Sequence, residues 1–583
     1  MKKILITLAA VLTLASCTMD FYRSDKMTST MFKSDPGAAV YSTDGNYAMF
    51  KDELDFGLTD RGGFTRIYYL MTELRGDNVT LSGRTSDPLY ENNVYGDTDR
   101  KEDLDYMWSV CYKIIYGCNS NIESLPEGES ASTDHLIGEN YFLRAVCHFT
   151  LCDLFATPYS RGPEKPGVII RNSTDCSVTE RASVGDVYKQ IESDLKDAER
   201  LMAAGTRRGN AGYASYDAAR GLRTRLYLYM GEEKRDECIQ LCNDMIGADA
   251  ASHLDTDIAT YFARAKDSKE TLWCIGRTPN DPDYVGSAKG QLSSMYYTSI
   301  EGDRGNGAEG WCEMYWSDPL IDLMRLHPED KRLEYLVPYG LKNDGLKFVV
   351  WPVISDDNFR NPITVRDLAF DESAAENKFT YDKKEYTVKK TTVNGVPSYY
   401  IEGLYSDAED KDDITGGTRC WVRDNIGITG LRSGYTNPMY GMTKFSFQDG
   451  ETALSSPVYI RWAEVILNAA EAYAHKGDET NALKYVNAIR TRAGIPTWSS
   501  MQACRDAGYT DLLDVVLDER RLELCFEGHR AIDVYRNGKD LDRRFAGCHP
   551  YEVITPEQMD IRYPYCIPFS EISVSGISGN GRQ

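Results

Sequence analysis

Glu519, Glu523 and Glu527 recur every four residues in a stretch that also holds Arg520, Arg530, Asp533 and Arg536, so a helix there would carry three carboxylates on one face beside several guanidiniums. Paired acids are what glycoside hydrolysis uses: two carboxyl groups flank the sugar, and one is kept protonated by its surroundings. Adjacent arginines oppose that, because they hold a carboxylate ionised. The pattern predicts a structural ion network locking the last helices, not a catalytic pair. Gly305-x-Gly307-x-x-Gly310 has the spacing of a dinucleotide loop, but Glu301, Asp303 and Glu309 would repel phosphate and no helix clearly follows. Asp407 to Asp413 holds four Asp and one Glu without the glycine of a calcium loop, so it reads as a solvated turn. The seven histidines are scattered, with no pairs at zinc spacing. No catalytic residue, metal or cofactor is expected from these motifs.

Aromatic side chains among amides and charges are the remaining chemistry. A flat ring offers an apolar face to sugar C–H groups, while Asn, Asp and Arg pair with hydroxyls. Two windows qualify. One runs from Arg75 to Tyr95 and contains Asp77, Asn78, Arg84, Tyr90, Asn93 and Tyr95. The other runs from Gln291 to Trp316 and contains Tyr296, Trp311 and Trp316. Trp311 follows Gly310 in a glycine-rich, acidic stretch that supplies little packing, so it and Tyr296 are the expected stacking rings. The competing expectation is that these rings are core.

The elements that must position these residues show in the hydrophobic spacing. Tyr459, Trp462, Ala463, Ile466, Ala469, Ala470 and Tyr473 recur at three and four, the stripe of a helix packed on one face. Gly477 then suits a left-handed cap and Asp478 a new N-cap, before Ala482, Tyr485, Val486 and Ile489 begin a second stripe. Leu222, Leu226, Tyr229, Gly231, Cys238, Leu241 and Cys242 repeat this plan, so the scaffold reads as mainly α, an array of tetratricopeptide-like helical repeats. Further helices are predicted over 36–52, 104–124, 133–155, 184–202 and 512–536. Between about 271 and 455 the pattern dissolves into a loop-rich, mixed insertion with short hairpins, one of them turning at Asn394-Gly395.

The chain has 583 residues, with 66 Lys and Arg against 89 Asp and Glu, a net charge of −23. That balance repels phosphate backbones and excludes general nucleic-acid binding. Lys2 and Lys3 precede an apolar run from Ile4 to Ala15 that is too short to span a bilayer and reads as a signal peptide, residues 1–16. The run ends Leu14-Ala15-Ser16-Cys17, which resembles a bacterial lipobox with Cys17 as the lipidated residue. The remaining fourteen cysteines are irregularly spaced and imply no particular disulfide.

One run of residues is more specific. Arg461-Trp-Ala-Glu464 is followed by Asn468-Ala-Ala-Glu471-Ala, Gly477, Asn487-x-Ile489-Arg490-x-Arg492-Ala493-Gly494, Glu519-Arg520, Glu523-Leu524, Phe526-Glu527-Gly528-His529-Arg530, Asp533 and Arg536. In this order they resemble the signature of the SusD/RagB family of surface lipoproteins. The likeness extends to the lipobox and to Tyr565-Cys-Ile-Pro568-x-x-Glu571-Ile572. It implies a cell-surface lipoprotein of the Bacteroidetes outer membrane, anchored by an N-terminal lipid and without catalysis. Such a protein delivers a nutrient, most often an oligosaccharide and in some members an oligopeptide, to a TonB-dependent, SusC-like transporter. It also implies that the two aromatic windows converge. A glycan-degrading enzyme or a pure repeat scaffold is the alternative of a different class. The expected organisation is a helical part over 17–270, the loop-rich middle over 271–455 and a second helical part over 456–583.

Overall fold

The computed structural model describes residues 37–580 apart from 52–62, 82–88, 282–291, 297–313, 325, 339–347, 353–362, 366–375, 382, 394–395, 403–418, 425–427, 433–434, 452, 546–549 and 551. The lipobox, the glycine-rich stretch at 305–310 and the acidic run at 407–413 lie outside these residues.

Helices dominate both flanks. On the N-terminal side the main ones are α1 (Ala38–Ala48), α2 (Phe64–Glu73), α3 (Glu102–Ser124), α4 (Ala131–Phe155), α5 (Val184–Met202), α6 (Tyr216–Tyr229) and α7 (Arg235–Ile246). On the C-terminal side the main ones are α8 (Trp462–His475), α9 (Glu479–Ala493), α10 (Leu512–Glu523) and α11 (Arg530–Arg536). Local chemistry sets the ends. Ser130, Ser183, Ser215 and Asp478 each accept a backbone N–H three residues on, and each opens the helix that follows it. Gly477, at φ 71°, supplies the left-handed residue that lets α8 turn back into α9. Successive helices pack as neighbours: α3 on α4, α4 on α5, α5 on α6, α6 on α7, α8 on α9. Because α7 and α6 also pack on α8, the two flanks form one helical array although the middle region separates them in sequence.

A short antiparallel pair joins the flanks: strand Thr271–Cys274 against Val458–Arg461, which runs directly into α8. Trp273, fully buried, is the hub of this junction. Phe50, Phe142 and Tyr459 meet its ring edge-on at centroid distances of 5.7, 5.2 and 5.3 Å. Rings buried in this geometry contribute on the order of 1.5–3 kcal/mol each through area alone. One continuous apolar core results, with members from Phe50 to Ile577.

Two expectations change. The middle carries more strand than its composition suggested: six segments between Phe348 and Asp424 build one antiparallel sheet. Within it the register Val393↔Val396 leaves two residues for the connection, the length Asn394-Gly395 calls for. The helix expected over 512–536 is interrupted after Glu523 and resumes at Arg530. Lys444 explains the break, since its ammonium donates to the Cys525 carbonyl at 2.7 Å and to that of Glu523 at 3.3 Å, satisfying acceptors that continued helix would use. The intervening turn passes through Phe526 at φ 65° and Gly528 at φ 83°. Cys147, Cys152, Cys238 and Cys242 are free and buried inside helices. Among the described residues, no helix is long and apolar enough to cross a membrane.

Candidate functional site

The two aromatic windows meet in a ladder. Strand Val79–Leu81 pairs antiparallel with Met314–Trp316 in the register Val79↔Trp316, Thr80↔Tyr315, Leu81↔Met314. The chain therefore leaves the first strand and enters the second at the same end of the ladder.

The polar residues of the first window are its foundation. Asp77 receives Arg530 at 2.7 and 3.0 Å and Arg521 at 3.3 Å. Burial pushes its carboxyl up, but Arg521 and Arg530 outweigh burial and pull it down to about 2. Asn78 accepts from Arg521 Nε at 2.9 Å, and Ser317 donates to the Asp77 carbonyl at 2.6 Å, tying the ladder's ends to α10 and α11. Asn93 accepts from Arg543 at 2.5 Å, while the Tyr95 hydroxyl donates to the Arg75 carbonyl at 2.7 Å. Arg75 lies 3.3 Å from the centre of the Tyr565 ring and pairs with Asp97.

These placements correct several expectations. Tyr296 is 0% exposed, against Phe445 at 5.7 Å and Phe526 at 5.3 Å, and Trp316 is 1% exposed, edge-on to Phe526 at 5.2 Å. Both rings are core beneath the ladder, not faces offered to a ligand. Asp77, Asn78 and Asn93 are buried and their side-chain oxygens accept from arginines, and Tyr95 is half-buried with its hydroxyl on the backbone. Tyr90 belongs to a short helix, Leu89–Asn93, whose side chain at that position lies outside the description, as do Arg84, Trp311 and Cys17 entirely.

The conspicuous acids form a network. Arg461 Nη1 meets Glu270 at 2.7 Å and Glu523 at 2.6 Å, and its Nε and Nη2 each hold Glu527 at 2.8 Å. Lys444 adds a 2.6 Å contact to Glu527. Arg492 bridges Glu270, at 3.1 Å, and Glu523. Arg332 reaches Glu519 and Asp330 at 2.7 Å each, and Arg490 reaches Glu519 at 3.1 Å. Five carboxylates thus face five cations, and all ten side chains are buried, none more than 5% exposed. Burial alone would raise Glu523, yet Arg492, Arg461 and Arg332 together hold it far below the usual carboxylate range. Glu527 is likewise raised by burial and lowered further by Arg461 and Lys444. Both shifts run opposite to the raised, protonated carboxyl that glycosidic cleavage uses as its acid. A second knot joins Arg536 to Glu471 at 2.5 Å and to Asp533 at 2.6 Å, with Arg520 on Asp533 at 2.9 Å. The sequence flagged the acids and the nearby arginines; it could not single out Glu270, Asp330, Arg332 and Lys444, which come from distant segments.

Glu73 also escaped notice. Its carboxyl is 1% exposed and accepts the Gly528 N–H at 2.7 Å, and burial pushes it up to about 7 against the smaller pull of that hydrogen bond and of Lys444. A Cβ on Gly528 would sit 2.9 Å from Thr72 Oγ1, so glycine there permits both the left-handed turn and the approach to α2. Among the described residues no three His, Cys, Asp or Glu side chains are grouped to hold a metal ion.

Residues 257–565 match a family model described as "SusD family", and residues 66–228 match one described as "Starch-binding associating with outer membrane". The chain is 35% identical over 478 residues to SusD-like protein P38 of Formosa agariphila, an alignment spanning 81% of this chain and 79% of the relative. It is 20% identical over 496 residues to SusD-like protein P25 of the same organism, covering 82% and 78%. Among solved structures, a SusD superfamily protein from Bacteroides thetaiotaomicron superposes with a TM-score of 0.64 at 20% identity, over 93% of this chain and 99% of that one. A SusD-like carbohydrate binding protein from Bacteroides vulgatus superposes with a TM-score of 0.57 at 17% identity, over 87% and 84%.

Proposed function

The chain belongs to the SusD/RagB family, and on that premise we propose that it is a non-catalytic outer-membrane lipoprotein that captures an oligosaccharide and passes it to a TonB-dependent, SusC-like transporter. The carbohydrate class is supported by the names its relatives carry, starch-binding and carbohydrate binding. The observation that carries the reading is the ladder from Val79–Leu81 to Met314–Trp316, which ties both aromatic windows to one end of a rigid scaffold. Loops held by such a scaffold are where binding side chains concentrate. In this reading Arg84, Tyr90 and Trp311 contact the ligand, and Asp77, Asn78, Asn93, Tyr95, Tyr296 and Trp316 fix the loops that present them. Cys17 carries the lipid that holds the protein at the cell surface.

Glycan-array binding of the chain from Cys17 onward, followed by calorimetry on the best saccharide, tests this. Trp311→Ala should weaken binding by about 1–3 kcal/mol, roughly 5- to 150-fold, with little change in melting temperature. Binding of peptides but no glycans, or undiminished affinity in the variant, would overturn the ligand class or the site respectively.

A further inference from the structure

A cleft that shares no lining residue with either aromatic window opens where α1, the 210–213 loop and the 266–278 segment come together. It encloses about 300 Å³, the lower end of the ~300–1,000 Å³ range of small-molecule sites. Its walls are aromatic. Tyr47 and Tyr213 are half-buried and meet edge-to-face, 5.2 Å between centroids at 76°, and beneath them Phe50 and Trp273 meet at 5.7 Å.

The rim is charged, but its charges are already matched. Asp44 pairs with Arg208 at 2.9 Å, Lys51 with Asp281 at 3.0 Å and Lys266 with Asp449 at 2.7 Å. Arg277, the remaining charged side chain of the lining, is buried and donates to Thr65 at 2.9 Å. Asn210 adds an uncharged amide.

This combination selects an occupant. An ionic ligand would have to break one of these pairs, and a purely apolar one would desolvate the rim without replacing its hydrogen bonds. A ring with one apolar face and several hydroxyls satisfies both walls and rim. We propose that this cleft is a second saccharide subsite, taking an uncharged sugar ring against Tyr47 and Tyr213, independent of the windows at the ladder.

Saturation-transfer NMR on the full chain from Cys17 tests it, with methyl α-D-glucopyranoside, methyl β-D-galactopyranoside and methyl α-D-mannopyranoside as probes and D-galacturonate as the charged control. At least one neutral glycoside should give a signal that exceeds galacturonate's several-fold. That signal should persist in Trp311→Ala, and in that variant it should survive a further Tyr213→Phe, which keeps the ring, and fall to background on a further Tyr213→Ala. Asn210→Trp, which fills the cleft from its half-buried rim, should abolish it as well, and decides the matter if Tyr213→Ala does not fold. Silence from all three neutral glycosides, a stronger signal from galacturonate, survival of the signal when Tyr213→Ala or Asn210→Trp is added to Trp311→Ala in a folded protein, or its loss in Trp311→Ala alone would each overturn the proposal.

Discussion

Arg461 and Asp77 are both buried and both ion-paired, yet they sit in knots of different kinds. Around Arg461 five cations share five carboxylates drawn from distant parts of the chain, so removing one member strands several. Around Asp77 a single carboxylate holds two guanidiniums, and what it secures is one end of a three-residue ladder. The first knot joins the middle region to the C-terminal helices and sustains the fold; the second positions loops. Two groups of charged residues that look alike in sequence therefore predict different losses when broken.

Arg461→Met should have the largest effect. It leaves Glu270, Glu523 and Glu527 short of their shared counter-charge in a dry interior, which costs about 3–5 kcal/mol. Urea denaturation should show that loss or a failure to fold; a midpoint equal to wild type would show that the network is dispensable. Asp77→Asn keeps an acceptor but removes the charge between Arg521 and Arg530, for a loss of about 2–3 kcal/mol. Hydrogen exchange should then speed up first at Val79–Leu81, whereas faster exchange spread evenly over α10 and α11 would make Asp77 part of the general scaffold.

Glu73 separates the two regions by pH. Its folded carboxyl stands at about 7 against an ordinary 4.5, so the fold favours the neutral form: stability is fullest below about 4.5 and falls as pH rises toward 7. Asp77, lowered to about 2 from 3.8, behaves oppositely, contributing stability above 3.8 that is lost as pH falls toward 2. Between pH 5 and 7 wild type should lose ~2 kcal/mol relative to Glu73→Gln. Parallel pH profiles for the two proteins would contradict that assignment.

Much of the architecture was legible in the sequence because it rests on local signals. The α8–α9 turn was visible in Gly477 and Asp478, the hairpin in Asn394-Gly395, and the family in the run from Arg461 to Arg536. The break in the 512–536 helix was not, since it depends on Lys444 reaching the carbonyls of Glu523 and Cys525 from about 80 residues away. The same limit misled the reading of the first window: Asp77, Asn78 and Asn93 look like ligand contacts until Arg521, Arg530 and Arg543, more than 400 residues away, are brought to them. Tyr296 looked exposed beside glycine and acids, but Phe445 and Phe526 enclose it. Residue type signals what a side chain can bind; distant packing decides whether that capacity is already spent.

The proposed division of labour has the Glu519–Glu527 acids build the protein and the ladder's windows bind its ligand. The most direct test titrates the glycan-array oligosaccharide into wild type, Glu523→Gln and Trp311→Ala calorimetrically, below the melting point of each, and recovers the saccharide by chromatography. Under that division, intact saccharide throughout, affinity within about two-fold of wild type for Glu523→Gln, and a loss of roughly five-fold or more for Trp311→Ala are expected. Cleavage by wild type that Glu523→Gln abolishes would contradict it.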